Sequence, residues 1–114
     1  MKLTVQERLG LLELLPREGK YAALKEYRRA REVIAINPEE MKAINFKEIP
    51  MQHGATVTWD ADKETVRDIP LTEFIMDTVR DLLIKQDKEK HLTEQTFTLY
   101  EKFVEAYRST EVAH

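Results

Sequence analysis

Apolar residues recur every three or four positions in the first third of the chain, which is the spacing of one face of an α-helix. The first stripe lies within residues 5–15 and consists of Val5, Leu9, Leu12 and Leu15, flanked by Leu11 and Leu14. The second lies within residues 20–35 and consists of Ala23, Tyr27, Ala30 and Ile34, flanked by Leu24 and Val33. We therefore predict two helices over these ranges. The first ends before Pro16, because proline disfavours helical geometry in the residue that precedes it.

Side chains that can accept a hydrogen bond stand at four expected helix starts, namely Thr4, Asn37, Thr72 and Thr93. Such a side chain binds one of the free amides in the first turn of a helix. The last three predict a helix over residues 38–44, a helix over residues 72–88 and a final helix from residue 93 onwards. The inward stripe of the final helix is expected to contain Thr96, Tyr100, Phe103 and Tyr107, bordered by Val104.

The pattern of polarity changes between the third and fourth predicted helices. Phe46, Ile49 and Met51 are spaced for an extended segment that Pro50 breaks. Residues 56–59 then alternate between polar and apolar, which is the period of a half-buried strand. Residues 60–64 read as a turn and residues 65–69 as a third, weaker strand. We predict a small antiparallel hairpin or a three-stranded meander here.

With 114 residues the chain is long enough for one domain with its own core. We predict a single α+β domain over residues 1–114 that is mostly helical, with about five helices, the hairpin or meander between helices three and four, and a frayed tail at residues 109–114. The first residues lack the apolar segment of a signal peptide, and no apolar run is long enough to span a bilayer. We expect a soluble, cytoplasmic protein that does not enter a membrane.

Few residues in the sequence are suited to catalysis. The absence of cysteine excludes disulfides, thiolate zinc sites and thiol nucleophiles, and Ser109 is the only serine. His53, His91 and His114 are not spaced by three or four residues, so they form no helical metal-binding pair. We expect no catalytic centre, no cofactor and no bound metal, and hence a protein that is not an enzyme.

One acidic segment resembles the beginning of a calcium-binding loop. Asp60, Asp62 and Glu64 place carboxylates at alternate positions, as a hard cation requires. However, Thr65 occupies the position of the obligatory glycine and Leu71 occupies that of the bidentate acid. The pattern therefore favours an acidic turn between strands over a cation site.

A basic run on the second predicted helix contains Lys25, Arg28, Arg29 and Arg31, and Arg17 and Lys20 lie just before that helix. The candidate binding patch within this run consists of Lys25, Arg28 and Arg29. Such a patch can bind phosphates, but a solvated helix face with internal ion pairs is the more frequent explanation. Three helices followed by a hairpin are also compatible with a winged-helix DNA-binding domain. Against that alternative, the third helix opens with Glu39 and Glu40, and the chain carries a net charge of −3. Nucleic acid is therefore the less favoured partner.

Residues 3–9, 14–19, 57–60 and 99–104 resemble segments of a family of small uncharacterised proteins found in bacteriophage and metagenomic sequences. The resemblance covers most of the chain and implies a phage-encoded accessory protein in the host cytoplasm. It supplies no site residues, because we know of no activity assigned to the family.

Together these observations predict a non-enzymatic interaction module, expected to be a homodimer, that binds a host protein or a small anionic ligand. Four aromatic residues could mark an interface, namely Tyr27, Trp59, Tyr100 and Tyr107. All four lie on stripes already assigned to packing, so a place in the core is the more frequent explanation, and some of them could lie at a dimer interface. Two alternatives remain open at this point. One is a winged-helix-like DNA-binding regulator, and the other is a virion or assembly component.

Overall fold

Five α-helices and two small antiparallel sheets make up the described part of a computed structural model, which comprises residues 1–64 and 66–108. The helices are α1 (Val5–Leu14), α2 (Tyr21–Ile34), α3 (Pro38–Ala43), α4 (Glu73–Lys88) and α5 (Glu94–Tyr100). The strands are β1 (Lys2–Leu3), β2 (Lys47–Met51), β3 (Gly54–Thr58) and β4 (Arg67–Asp68). The predicted, mostly helical α+β class is confirmed. The predicted frayed tail at residues 109–114 lies outside the described residues.

Three of the four predicted cap residues accept a hydrogen bond from a free helix amide. The donor and acceptor residues are Glu7 and Thr4 at 3.1 Å, Glu40 and Asn37 at 2.8 Å, and Ile75 and Thr72 at 3.2 Å. Thr93 also directly precedes its helix, but the amide of Thr96 donates to the Thr93 carbonyl at 3.1 Å instead. The hydroxyl of Thr93 contacts the hydroxyl of Thr96 at 3.3 Å. The start of α5 is therefore as predicted, although its cap differs from the others.

The main core lies between α1, α2, α4 and the C-terminal helical segment. Its buried members are Leu3, Leu11, Leu15, Tyr27, Ala30, Ile34, Ile69, Ile75, Val79, Leu83, Leu99, Phe103 and Val104. The face predicted for the second helix supplies Tyr27, Ala30 and Ile34. From the first helix the core takes Leu15 and the flanking Leu11, whereas Leu9 and Leu12 of the predicted stripe are only half-buried. A second, smaller cluster of Val5, Ile36 and Ile44 packs against the half-buried Phe46 and Trp59, whose rings stack with centroids 6.2 Å apart.

The predicted inward face of the last helix is only partly correct. Phe103 and Val104 are buried, but Leu99 is buried as well and Tyr107 is 42 % exposed. The reason is a π-helical turn over Glu101–Glu105, which continues α5 with a wider turn. A wider turn shifts the residues after it around the helix axis, so a regular spacing of 3.6 residues cannot describe both halves of the segment.

The β-structure departs from the prediction in three respects. Pro50 lies within β2 and does not break it, since a proline is tolerated where its missing N–H would face outward. Every residue of β2 and β3 is exposed, so the predicted half-buried strand is wrong. The meander is also wrong, because β4 pairs with β1 and not with the hairpin. The N-terminal ammonium of Met1 supports that pairing by binding the Asp68 carboxylate at 2.7 Å.

The helices in the described part of the chain are all too short or too polar to cross a membrane.

Candidate functional site

Lys25, Arg28 and Arg29 lie together on the side of α2 that faces away from the core. Helical spacing explains this arrangement, because the opposite side of the same helix carries the buried Tyr27 and Ala30. The three basic residues line one groove of about 620 Å³. The full lining consists of Arg17, Tyr21, Leu24, Lys25, Arg28, Arg29, Arg31 and Glu32. The structure thus brings the three predicted patch residues together and adds two further arginines to them.

The cations of this groove are poorly neutralised by the protein itself. In the described chain, Arg17, Lys25 and Arg28 have no ion pair and no side-chain hydrogen bond. Arg29 has only a long ion pair with Glu26, at 3.9 Å. The lining contains five basic residues and one acidic residue, Glu32. The more common explanation for such a basic run is a solvated helix face whose charges pair with one another. That explanation does not fit Lys25 and Arg28.

Arg31 closes one side of the groove and is fixed in place. Its Nη2 atom donates a hydrogen bond of 2.6 Å to the carbonyl of Pro16, near the start of the connection between α1 and α2. Its Nε atom is buried and has no hydrogen-bond partner. A buried donor without a partner lowers the stability of the fold.

Tyr21 is the residue of the groove that sequence reasoning missed. Its side chain is 80 % exposed, the largest exposure among the large apolar residues of the described chain. Tyr21 lies four residues before Lys25 and three before Leu24, so the ring shares the surface of the basic groups. The signal in the sequence was an aromatic residue on the polar face of an amphipathic helix, which a search for the core stripe alone passes over.

A buried ion pair holds the far end of α2. Arg8 is 2 % exposed, and its Nη1 atom lies 2.6 Å from Oε2 of Glu40. The same guanidinium donates from Nε to the carbonyl of Ile34 at 2.8 Å and from Nη2 to that of Ala35 at 2.6 Å. It therefore caps the free carbonyls at the C-terminal end of α2 and ties that end to α1 and α3.

The position of Glu40 corrects one sequence argument. We expected Glu39 and Glu40 together to repel phosphates from the third helix, but only Glu39 is exposed. Glu40 is buried between Arg8 and Arg67, the latter at 2.9 Å. The hydrogen bond from Arg8 is the main reason why the pKa of Glu40 is lowered. Its charge is therefore already balanced and contributes little repulsion at the surface.

The residues of the calcium-like segment are engaged elsewhere. The Asp60 carboxylate accepts a hydrogen bond of 2.7 Å from the side chain of Asn45, and this bond is the main cause of a lowered pKa for Asp60. Glu64 accepts from the Trp59 indole at 3.1 Å and from the backbone amide of Val5. Thr65, at the glycine position of the motif, lies outside the described residues. Among those that are described, no group of three acidic or histidine side chains is arranged to hold a metal ion.

The two described histidines lie on different elements. His53 is in the turn of the hairpin and His91 is in the connection between α4 and α5, and both are exposed. Neither imidazole has a hydrogen-bond partner among residues 1–64 and 66–108. An acid–base group needs a partner that orients it, so the geometry offers no general base in either place. His114 lies outside the described residues.

Comparison of the chain with protein-family models, with curated proteins and with solved structures gives no match in any of the three. The resemblance to bacteriophage proteins therefore stays a prediction. Any function assigned to the chain rests on the groove along α2 and on the surfaces around it.

Proposed function

We propose that this protein is a non-enzymatic binding module that holds an anionic partner against the groove along α2. The observation that carries the proposal is the set of cations around one exposed ring. Arg17, Lys25 and Arg28 have no ion pair or side-chain hydrogen bond within residues 1–64 and 66–108, and Tyr21 is 80 % exposed beside them. A chain with a net charge of −3 that concentrates positive charge in one groove presents a distinct surface to acidic partners.

The chemistry of the groove favours an acidic protein segment with apolar residues. Tyrosine and arginine are the side chains most enriched at energetically important interface positions. The Tyr21 ring and the Leu24 side chain offer apolar contact area, while Lys25 and Arg28 offer charge. Complementary charge would steer such a partner to the groove and fix its register. In the bacteriophage setting that the sequence resemblance implies, the partner is a host protein with an acidic surface.

The test uses a short fluorescein-labelled peptide of alternating glutamate and leucine, and a counterpart with lysine in place of glutamate. We expect fluorescence anisotropy to show binding of the acidic peptide alone, weakening as salt is added. The double variant Lys25→Glu/Arg28→Glu should lower the affinity at least about tenfold. Tyr21→Ala should lower it separately, because the ring contributes contact area and not charge.

A matched control makes the same change of charge at another place. Lys85→Glu/Lys88→Glu alters two exposed residues of α4, outside the groove, and should leave the affinity unchanged. Equal binding of both peptides, or equal loss in the control variant, would contradict the proposal. Unfolding midpoints of all variants are compared first, so that a loss of binding is not confused with a loss of fold.

One observation favours a second candidate, a winged-helix-like DNA-binding regulator. A three-residue connection, Ala35 to Asn37, joins α2 to α3, and an exposed hairpin follows, as a helix-turn-helix with a wing would have. Against it, α3 has only six residues, which is short for a helix that must read the major groove. Binding of duplex DNA separates the two candidates.

A further inference from the structure

The hairpin of β2 and β3 stands apart from the core of the molecule. Every residue of both strands is exposed, including Ile49 at 43 %, Met51 at 59 % and Val57 at 36 %. A lone two-stranded hairpin is marginally stable in water and gains stability from further strands or from packing. Within residues 1–64 and 66–108, no third strand joins this sheet. Both of its edges therefore face solvent.

The pairing pattern shows which backbone groups point outward. Met51 pairs with Gly54 across a two-residue turn, and the closing pair of such a turn exchanges both backbone hydrogen bonds. Along an antiparallel ladder, pairs that exchange backbone hydrogen bonds alternate with pairs that do not. Pro50 and Ala55, the next pair along the hairpin, therefore have no hydrogen bonds between them. This agrees with the chemistry of Pro50, which has no N–H to donate.

The two outer edges differ in how they are protected. The next pair without internal hydrogen bonds is Glu48 with Val57, so the N–H and C=O groups of Ala55 and Val57 point away from β2. The edge of β2 carries the charges of Lys47 and Glu48 and is interrupted by Pro50, which are the usual defences of an edge strand. The sequence of β3 contains neither a proline nor a charge. Only the edge of β3 is open to another strand.

We propose that β3 pairs antiparallel with β3 of a second copy of this chain, about a two-fold axis at Thr56. The product is a four-stranded sheet in the order β2, β3, β3, β2. In this register each Ala55 lies opposite Val57 of the partner subunit and exchanges two backbone hydrogen bonds with it. The two Thr56 side chains face each other, and threonine pairs across antiparallel strands are favourable.

The charges on the hairpin make a second copy a better occupant than an arbitrary strand. Because β3 is uncharged, self-pairing brings no like charges together, and the two Lys47 side chains fall at opposite ends of the new sheet. A two-fold dimer is also the commonest symmetric assembly. Five-residue strands bury much less than the roughly 1,200 Å² of a stable interface, so we expect a weak dimer. The inference is independent of the anionic partner proposed for α2.

The experiment measures the solution mass of the full chain by sedimentation velocity from about 1 μM to about 1 mM. The wild type should shift from monomer to dimer across this range. Val57→Pro removes an outward N–H of β3 without removing a bond to β2, and should weaken association at least about tenfold. Glu48→Pro removes the matching outward N–H of β2, at the residue opposite Val57, and should leave association unchanged.

Hydrogen exchange provides a second measurement that needs no variant. The amides of Ala55 and Val57 should exchange more slowly at the highest concentration than at the lowest, whereas that of Glu48 should not change. A monomer at all concentrations would overturn the proposal. An equal loss of self-association in Val57→Pro and Glu48→Pro would overturn it as well. So would protection of the β3 amides that appears only when an unrelated extended peptide is added, which would assign the edge to another partner.

Discussion

Glu7 and Glu40 each complete a helix start and also hold a cation from a distant part of the chain. The carboxylate of Glu7 accepts from the backbone amide of Thr4 at 2.9 Å and from the Lys102 ammonium at 2.6 Å. The carboxylate of Glu40 likewise accepts from the backbone amide of Asn37 and from the guanidinium of Arg8. Both glutamates are buried, so a local capping motif becomes a tertiary contact. Sequence reasoning identified the caps but not this second role.

We predict that Arg8→Met destabilises the fold by about 3–5 kcal/mol, because it removes the buried partner of Glu40 and leaves only the half-exposed Arg67 beside that carboxylate. Two carbonyls at the end of α2 also lose their donor. The double variant Arg8→Met/Glu40→Gln should recover part of the loss, since the buried charge is removed. Arg67→Met serves as the control and should cost less than about 1 kcal/mol, because Arg67 is half exposed. Urea unfolding measures all three, and similar losses for Arg8 and Arg67 would contradict the prediction.

The same residues predict how stability depends on pH. Burial pushes the pKa of Glu7 upward, but the hydrogen bonds from Lys102 and Thr4 outweigh it and leave the pKa below its usual value. The pKa of Glu40 is lowered chiefly by Arg8. Because the folded-state values lie below the unfolded ones, the ionised carboxylates stabilise the fold above about pH 4.3. That stabilisation is lost as the pH falls through the folded-state values.

The measurement compares the unfolding free energies of wild type and Glu40→Gln over a range of pH. We expect the difference to be largest near neutral pH and to begin shrinking as the pH falls below about 4.3, the usual pKa of a glutamate. It should level off only below the lowered folded-state pKa of Glu40, where the carboxyl is protonated in both the folded and the unfolded state. Glu18→Gln changes an exposed residue and should show no such trend. If the difference in unfolding free energy between wild type and Glu40→Gln does not change with pH, then Glu40 stabilises the fold through packing and not through its charge.

At the scale of helices and strands, the caps lead to a prediction that separates two threonines. The Thr72 hydroxyl accepts the amide of Ile75, so Thr72→Ala should cost about 1 kcal/mol. At α5 the backbone amide of Thr93 donates to the Thr96 hydroxyl at 3.0 Å, a bond that does not use the Thr93 side chain, so Thr93→Ala should cost less than half of that. Denaturant unfolding midpoints of the two variants decide the matter. Equal shifts would show that the hydroxyl of Thr93 caps α5 in solution.

Elements with strong local signals could be predicted from the sequence, and elements defined by distant partners could not. The helix starts at Thr4, Asn37 and Thr72 follow from residues within one turn of each other. By contrast, β4 exists because β1, more than sixty residues earlier, supplies its hydrogen bonds. The exposure of the hairpin depends on whether another element packs against it. The alternation of polar and apolar residues at 56–59 cannot reveal that packing.

Across the whole molecule, the candidate site was predictable in part. Lys25, Arg28 and Arg29 follow from helical spacing alone, because residues three and four apart share a surface. Arg31 follows Arg28 by three residues on the same helix, so its place in the groove also follows from local spacing. Arg17 precedes the helix and lines the groove through the path of the connection between α1 and α2, which no local pattern reports. The net charge of −3 also hides the positive groove, since the acidic excess lies elsewhere. Both candidate functions would use the cations of this groove, so the kind of anionic partner that binds there must distinguish them.

The last prediction tests that distinction with duplex DNA. A winged-helix regulator would use Arg28 and Arg29 as phosphate contacts, so its affinity would fall steeply with salt, and each lost contact would reduce the slope by about one unit. We expect no binding tighter than the non-specific range of about 10⁻⁴–10⁻⁶ M near physiological salt, because α3 is short and opens with the exposed Glu39. Fluorescence anisotropy with a pool of genomic fragments measures this for wild type and Arg28→Ala/Arg29→Ala. Tight, salt-sensitive binding that disappears in the double variant would favour the regulator over the acidic-partner module. Weak binding that the double variant leaves unchanged would favour the proposed module, because the Tyr21 ring and the Leu24 side chain add apolar contact area that a phosphate backbone does not use.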